Sequence, residues 1–241
     1  MNYLDICNEI LVRMREQEIV SVSDTDNDPQ QKLVCKFVND AKQFVEGAHT
    51  WNALRKIWLV DLAHDVHKYN LNGGSEKSRP YLVRYQSGAV LKEANPRWME
   101  RKPQSKGSPH YYTMSNVHNN TVTMNVWPYP DNTFGDSHDV FEFGEAEFDD
   151  RQGSELFAAS PDKVLHVYGF AHQGRMTLDD DKLLVPEDPV LHYGLGFATR
   201  ERGESGGASS AEIFALAKQS LSDSISWDVA NSDLEYHWMA V

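Results

Sequence analysis

DPQQKLVCKFVNDAKQFVEGAHTWNALRKIW, residues 28–58, carries the strongest helical pattern in this chain of 241 residues. Leu33, Phe37, Ala41, Phe44 and Ala48 recur at offsets of four, eight, eleven and fifteen, the spacing of one apolar helical face. Lys32, Lys36, Asp40, Lys42 and Gln43 lie largely off that face. Asp28 is placed to cap the helix, and Pro29 suits a first turn whose N–H groups have no intrahelical partner. Gly47 marks the far end, and Trp51-Asn52-Ala53-Leu54 leads towards the apolar run Ile57-Trp58-Leu59-Val60. A helix leaving through a Trp into a strand is a framework element.

Upstream, residues 2–16 read as a helix with Tyr3, Cys7, Ile10 and Met14 inward, and SVSDTDNDP is turn chemistry between the two helices. Downstream, the period changes from 3.6 to two. Residues 56–62, 81–85, 121–127, 140–143 and 164–170 are β-branched or aromatic runs bounded by Gly, Pro, Asn and Asp, which predicts about five strands. Two excursions, at 92–107 and 130–160, interrupt them. The helical period then returns: Asp188-Pro189 repeats the start at Asp28-Pro29, with Val190, Gly194, Phe197 and Ala198 on one face. Ser209 or Ser210 caps a last helix with Phe214, Ala217, Leu221 and Ile225 inward.

The expected fold is therefore α+β: a helical bundle built from N-terminal and C-terminal helix pairs, with a β-rich insertion between them. The boundaries are an N-terminal helical pair at 2–55, a β-rich region at 56–185 and a C-terminal helical pair at 186–226. Residues 227–241 form a tail whose Trp227, Tyr236, Trp238 and Met239 are apolar anchors on a segment too polar to pack alone, as expected of a docking segment that orders on a partner or of a tail folded back on its own subunit.

A net charge of −13 argues against general nucleic-acid affinity, because binding needs cations that displace phosphate counterions. The charge is uneven. Residues 76–106 hold eight Lys and Arg against three Glu, so the rest of the chain carries −18. Arg84, Arg97, Arg101 and Lys102 belong to this basic stretch, which could pair with an acidic flank of another copy. No 18-residue apolar run exists, and the chain starts directly in a helical pattern, so neither a membrane span nor a signal peptide is expected. Synthesis in a cytoplasm follows, with Cys7 and Cys35 as reduced core residues and Asn119-Asn120-Thr121 a polar turn.

Catalytic and metal signals are weak. Gly203-Glu204-Ser205-Gly206-Gly207 is similar to the GDSGG of chymotrypsin-like proteases, but it lies between two helices with no disulfides and no upstream histidine motif. Asp24-x-Asp26-x-Asp28 starts like a calcium loop, yet Pro29 replaces the required Gly and Cys35 the closing Glu. His64-x-x-His67 with Asp61 and Asp65 is the nearest approach to a ligand cluster, placed after a strand where i and i+3 need not converge. Acidic residues between 145 and 150 could hold a glycosidase pair, though their setting is that of a solvated surface. No catalytic residue, cofactor or metal is expected.

The order of elements resembles a known family. The opening helix, the Ser- and Asp-rich turn, Asp40-Ala41-Lys42 followed by Trp51-Asn52-Ala53-Leu54-Arg55, Pro109-His110-Tyr111-Tyr112, and 122–130 ending Trp127-Pro128-Tyr129-Pro130 are similar to the head-to-tail adaptors of tailed bacteriophages. These include the tail-tubular-A-type proteins of short-tailed phages. The strand at 164–171 and the Leu184-Val185-Pro186 approach to the closing helices extend the likeness over about residues 2–226. The resemblance implies a ring of copies, dodecameric in that family, beneath the portal protein and continued by a downstream tail protein. Genomic DNA would pass through the lumen without specific binding, and the location would be the virion. An acidic lumen would let phosphates slide without sticking. The excursions at 92–107 and 130–160 exceed the family's usual connections. The alternative, drawn from the aromatic strands and acidic loops, is a tail-associated glycan-binding or glycan-cleaving protein.

Overall fold

The computed structural model describes residues 1–24, 28–72, 78–118, 121–134, 140–144, 163–203 and 210–238. Its first helix, α1 (Tyr3–Arg13), starts at a reciprocal cap. Asp5 N donates to Asn2 Oδ1 at 2.8 Å, and Asn2 N donates to Asp5 Oδ2 at 3.3 Å. Tyr3, Ile6, Cys7, Ile10 and Leu11 are buried, while Met14 is the helix cap and only half-buried. Helix α2 (Pro29–Ala48) begins as the sequence predicts: Pro29 occupies the first turn, and Asp28 N donates to Gln31 Oε1 at 2.8 Å.

The buried face of α2 is rotated by about one position from the expected one. Val34, Val38, Ala41 and Val45 form its centre, whereas Phe44 is 51% exposed and Ala48 is exposed. The reason is steric. Small residues let neighbouring helices approach closely, and the large rings pack on the flanks, Phe37 against Phe197 at 6.1 Å and Phe44 against Tyr193 at 4.6 Å. Lys42, expected off the buried face, is instead buried with Glu46 as an ion pair, Nζ and Oε1 3.2 Å apart. Burial pulls the Lys42 pKa down, and Glu46 holds it up in part. Cys7 and Cys35 are both buried and free of disulfides.

Two closing helices pack with this pair. Helix α4 (Glu187–Arg202) starts two residues before the expected Pro189 position and buries Val190, Gly194 and Ala198. A methyl group at Gly194 would meet Ile10 Cδ1 at 2.7 Å, and one at Gly196 would meet the Phe214 ring at 2.8 Å, so glycine sets the closeness of both contacts. Helix α5 (Ser210–Trp238) follows. Asn39 ties α2 to the segment before α4: its Nδ2 donates to Met176 O at 3.0 Å, and Met176 N donates to its Oδ1 at 2.9 Å. Nδ2 also donates to Tyr3 Oη at 2.8 Å, and Tyr3 Oη donates to Cys35 O at 2.7 Å. Met1–Ala53 and Arg175–Val241 thus form one compact unit from the two ends of the chain.

Leu54–Gly174 forms the second unit. Its strands are β1 (Arg55–Asp61), β2 (Lys68–Asn72), β3 (Arg79–Tyr85), β4 (Lys92–Glu93), β5 (Tyr111–His118), β6 (Thr121–Trp127), β7 (Val140–Gly144) and β8 (Val164–Phe170). They make two four-stranded sheets, ordered β3-β8-β1-β7 and β2-β6-β5-β4, antiparallel except where β4 joins β5. Trp58, Val60, Val83, Leu165 and Val167 of the first sheet share one core with Tyr69, Leu71, Tyr112, Met124 and Val126 of the second. Five of these strands match the runs read in the sequence; β2, β4 and β5 are additional. A short helix, α3 (Pro96–Glu100), capped by Asn95 Oδ1 accepting from Arg97 N at 2.9 Å, sits inside the excursion at 92–107. The excursion at 130–160 lies mostly outside the described residues, as do the acidic positions from 145 to 150.

Burial also sets an alkaline limit. Desolvation raises the phenol pKa of Tyr3, Tyr69, Tyr112 and Tyr193, that of Tyr69 to about 12. A raised folded value means the stabilisation is complete below the ordinary tyrosine range near 10 and is lost as pH climbs through the folded values. Lys42, shifted down, acts in the opposite direction but is one group against four. Thermal unfolding followed by circular dichroism is therefore expected to show a melting temperature that drops from about pH 10 upward. A melting temperature unchanged to pH 12 would mean that these phenols ionise freely in the fold.

Candidate docking surfaces

The expected tail is not a separate segment. Helix α5 runs unbroken to Trp238, because residues 210–238 contain no Gly or Pro to stop it and its polar positions remain compatible with an exposed helix. Its inner side is thin: Ala217 is buried, and Phe214, Leu221 and Ile225 are half-buried. Outside, Leu216 and Trp227 are 53% and 73% exposed. They stand eleven residues apart, about three turns, and so share a line along the helix. Val229 is a further exposed apolar residue at 42%. The side chains of Tyr236 and Trp238 and all of Met239 lie outside the described residues.

Asp228, next to Trp227, holds this stretch in place. Its Oδ2 lies 3.1 Å from His49 Nε2 and accepts from Asn52 N at 3.2 Å, while its carbonyl accepts from Asn52 Nδ2 at 3.2 Å. The anchoring point is the end of α2, where Trp51 is buried and its Nε1 donates to Val45 O at 2.9 Å. A large exposed indole beside an anchored carboxylate is thus presented in a defined position.

The basic stretch does not form one patch. Arg84 lies in β3 and is committed internally: it donates to Tyr168 Oη at 2.7 Å, with its guanidinium 5.2 Å from that ring. Alternation along the strand turns it away from the shared core but onto a neighbouring strand's tyrosine, which linear charge counting does not reveal. Arg97 and Arg101 are exposed on α3 and at its cap. Lys102 is exposed too, with Nζ 4.5 Å from the Trp98 ring and 5.7 Å from that of Trp127. Arg97 and Arg101 remain available to a partner.

In the histidine cluster His64 Nε2 lies 3.5 Å from Asp65 Oδ2, but no ligand set forms among the described residues. Asp65 pairs with Lys106 at 2.6 Å, which holds its carboxyl below the usual range, and His67 stacks on Tyr129 at 4.3 Å with planes 2° apart. Among the described residues no group of three or more His, Cys, Asp or Glu converges, and no helix is long and apolar enough to cross a membrane. Residues 204–207 of the glycine-rich motif, Asp26 and Asn119-Asn120 lie outside the described residues, while Gly203 caps α4 with φ 81°. One feature escaped the sequence reading: the polar outward row of β5, signalled only by the alternation in Tyr111, Thr113 and Ser115, borders a cavity on the second sheet. Compared with protein-family models and with curated proteins, the chain matches none.

Proposed function

We propose that this chain is a structural head-to-tail adaptor of a tailed bacteriophage, acting without catalysis. Copies would form a ring, dodecameric as in the family it resembles, beneath the portal protein and continued by the downstream tail protein. In this reading the helices from the two chain ends are a bundle that frames the ring, the chain is made in the host cytoplasm, and the protein resides at the head-tail junction of the virion. The observation that supports it most is α5, a 29-residue helix with a thin inner side and Leu216, Trp227 and Val229 exposed. Within one subunit the outer side of this helix stays in water, whereas an assembly can cover it. The charge of −13 suits a conduit past which DNA slides.

The test is mass photometry and electron microscopy of the protein mixed with its portal. Rings seated on the portal are expected, even if the free protein is monomeric, because the template can drive assembly by mass action. A protein that stays monomeric and never binds the portal ends the proposal. Arg97 and Arg101 provide a second check. Reversing both to Glu is expected to reduce ring formation at low salt while leaving the melting temperature unchanged, since both side chains are exposed. Normal rings from the double variant would remove these two residues from the contact between copies.

A further inference from the structure

The outward face of the second sheet carries a cavity of about 290 Å³, near the lower limit of small-molecule sites. Strand register builds its floor: Lys68 of β2, Asn125 of β6 and Thr113 of β5 stand side by side in one row. Ser115 lies one step further along β5 and accepts from Asn125 Nδ2 at 2.6 Å. Thr113 is only 5% exposed, lines the cavity, and its hydroxyl has no partner among the described residues. A hydroxyl that opens only onto the cavity and has no protein partner takes its hydrogen bonds from whatever fills that cavity, water or a ligand. Helix α3 covers the floor with Pro96, Met99 and Glu100, while Trp127 and Tyr129 supply aromatic walls.

These groups select a ligand chemistry. Thr, Ser and Asn side chains both donate and accept, which matches hydroxyl groups that do the same. An apolar ligand would leave Thr113 unpaired. A phosphate would call for converging cations, but Lys102 is held over the Trp98 and Trp127 rings and the lining holds Glu100 as well as Lys68. His67 is kept towards its neutral form by burial and by the charge of Lys68. Aromatic walls offer flat apolar surfaces for the C–H face of a pyranose ring.

We propose that this cavity binds one neutral saccharide unit, with Thr113 and Asn125 hydrogen-bonding its hydroxyls and the Trp127 and Tyr129 side chains flanking its ring. The site lies within Leu54–Gly174 and does not require a ring of subunits, so its failure and that of the adaptor reading are separate results.

The experiment is ligand-observed saturation-transfer NMR on the full chain with glucose, galactose, mannose, N-acetylglucosamine, glucuronate and inorganic phosphate as probes. At least one neutral sugar is expected to bind saturably with a Kd of about a millimolar or tighter. Thr113→Val, nearly isosteric, is expected to weaken that binding about tenfold or more at an unchanged melting temperature. Should that variant fail to fold, Asn125→Ala, a half-buried outward residue, reads the same loss. The proposal is overturned if none of the neutral sugars binds, if phosphate or glucuronate binds in preference to all of them, or if the folded variants bind like the parent.

Discussion

Glu46→Ala is expected to remove about 3–5 kcal/mol of folding stability, a large share of the roughly 5–15 kcal/mol that a domain possesses. The cause is Lys42. Its ammonium sits with no solvent exposure 3.2 Å from Glu46 Oε1, and without that carboxylate it is a buried charge offset only in part by the field of Asp181, or must lose its proton. Replacing both residues, Lys42→Met with Glu46→Leu, is expected to restore stability to near the parent or above it, because the cost of desolvating two charges disappears together with their attraction. Urea unfolding followed by circular dichroism measures both. A loss below about 0.5 kcal/mol for Glu46→Ala would show that water reaches the pair, as it does in exposed ion pairs.

Trp227→Ala is the second large expectation, on assembly and not on stability. The indole is 73% exposed, so its loss should leave the thermal transition of the free subunit in place. If it is an anchor at a subunit or portal contact, truncation is expected to weaken assembly by about 2 kcal/mol or more, roughly thirtyfold. Titration of portal with the variant, read by mass photometry, gives the number. The substitution is more informative than deleting 227–241, because that deletion also removes Asp228 and its contacts with His49 and Asn52. Assembly at the parental midpoint would exclude Trp227 from the interface.

The helices and five of the eight described strands are legible in the sequence because burial imposes a period, and the errors have physical origins. In α2 the period was right and the phase was not. Phe37 and Phe44 dominate a hydrophobicity pattern, but the closest packing selected Val34, Val38, Ala41 and Val45, and an ion pair made Lys42 compatible with the interior. Strands β2 and β5 were missed because their outward residues are Lys68, Asn70, Thr113 and Ser115, which read as loop until pairing with β6 gives them a face. The closing helix is expected to end at 226 because the residues beyond it mix apolar side chains such as Trp227 and Trp238 with Asp228, Asn231, Asp233 and Glu235, a pattern that does not separate an exposed helix from a docking tail. Of the candidate docking residues, linear charge could locate Arg97 and Arg101, but not that Arg84 is spent on Tyr168.

The bonds from Asn39 to Met176 span 137 residues, and they bear on the order in which the molecule is made. As the chain leaves the ribosome, α1 and α2 emerge before the surfaces that cover them. The whole of Leu54–Gly174 then follows and has every strand of both sheets available before α4 exists. The inserted unit can therefore reach its fold while the N-terminal helices are still waiting, with Val38, Val45 and the Lys42–Glu46 pair lacking their final covering. Closure of the helical unit therefore waits for the residues from Arg175 onward, which come later in the chain than every described strand of the inserted unit.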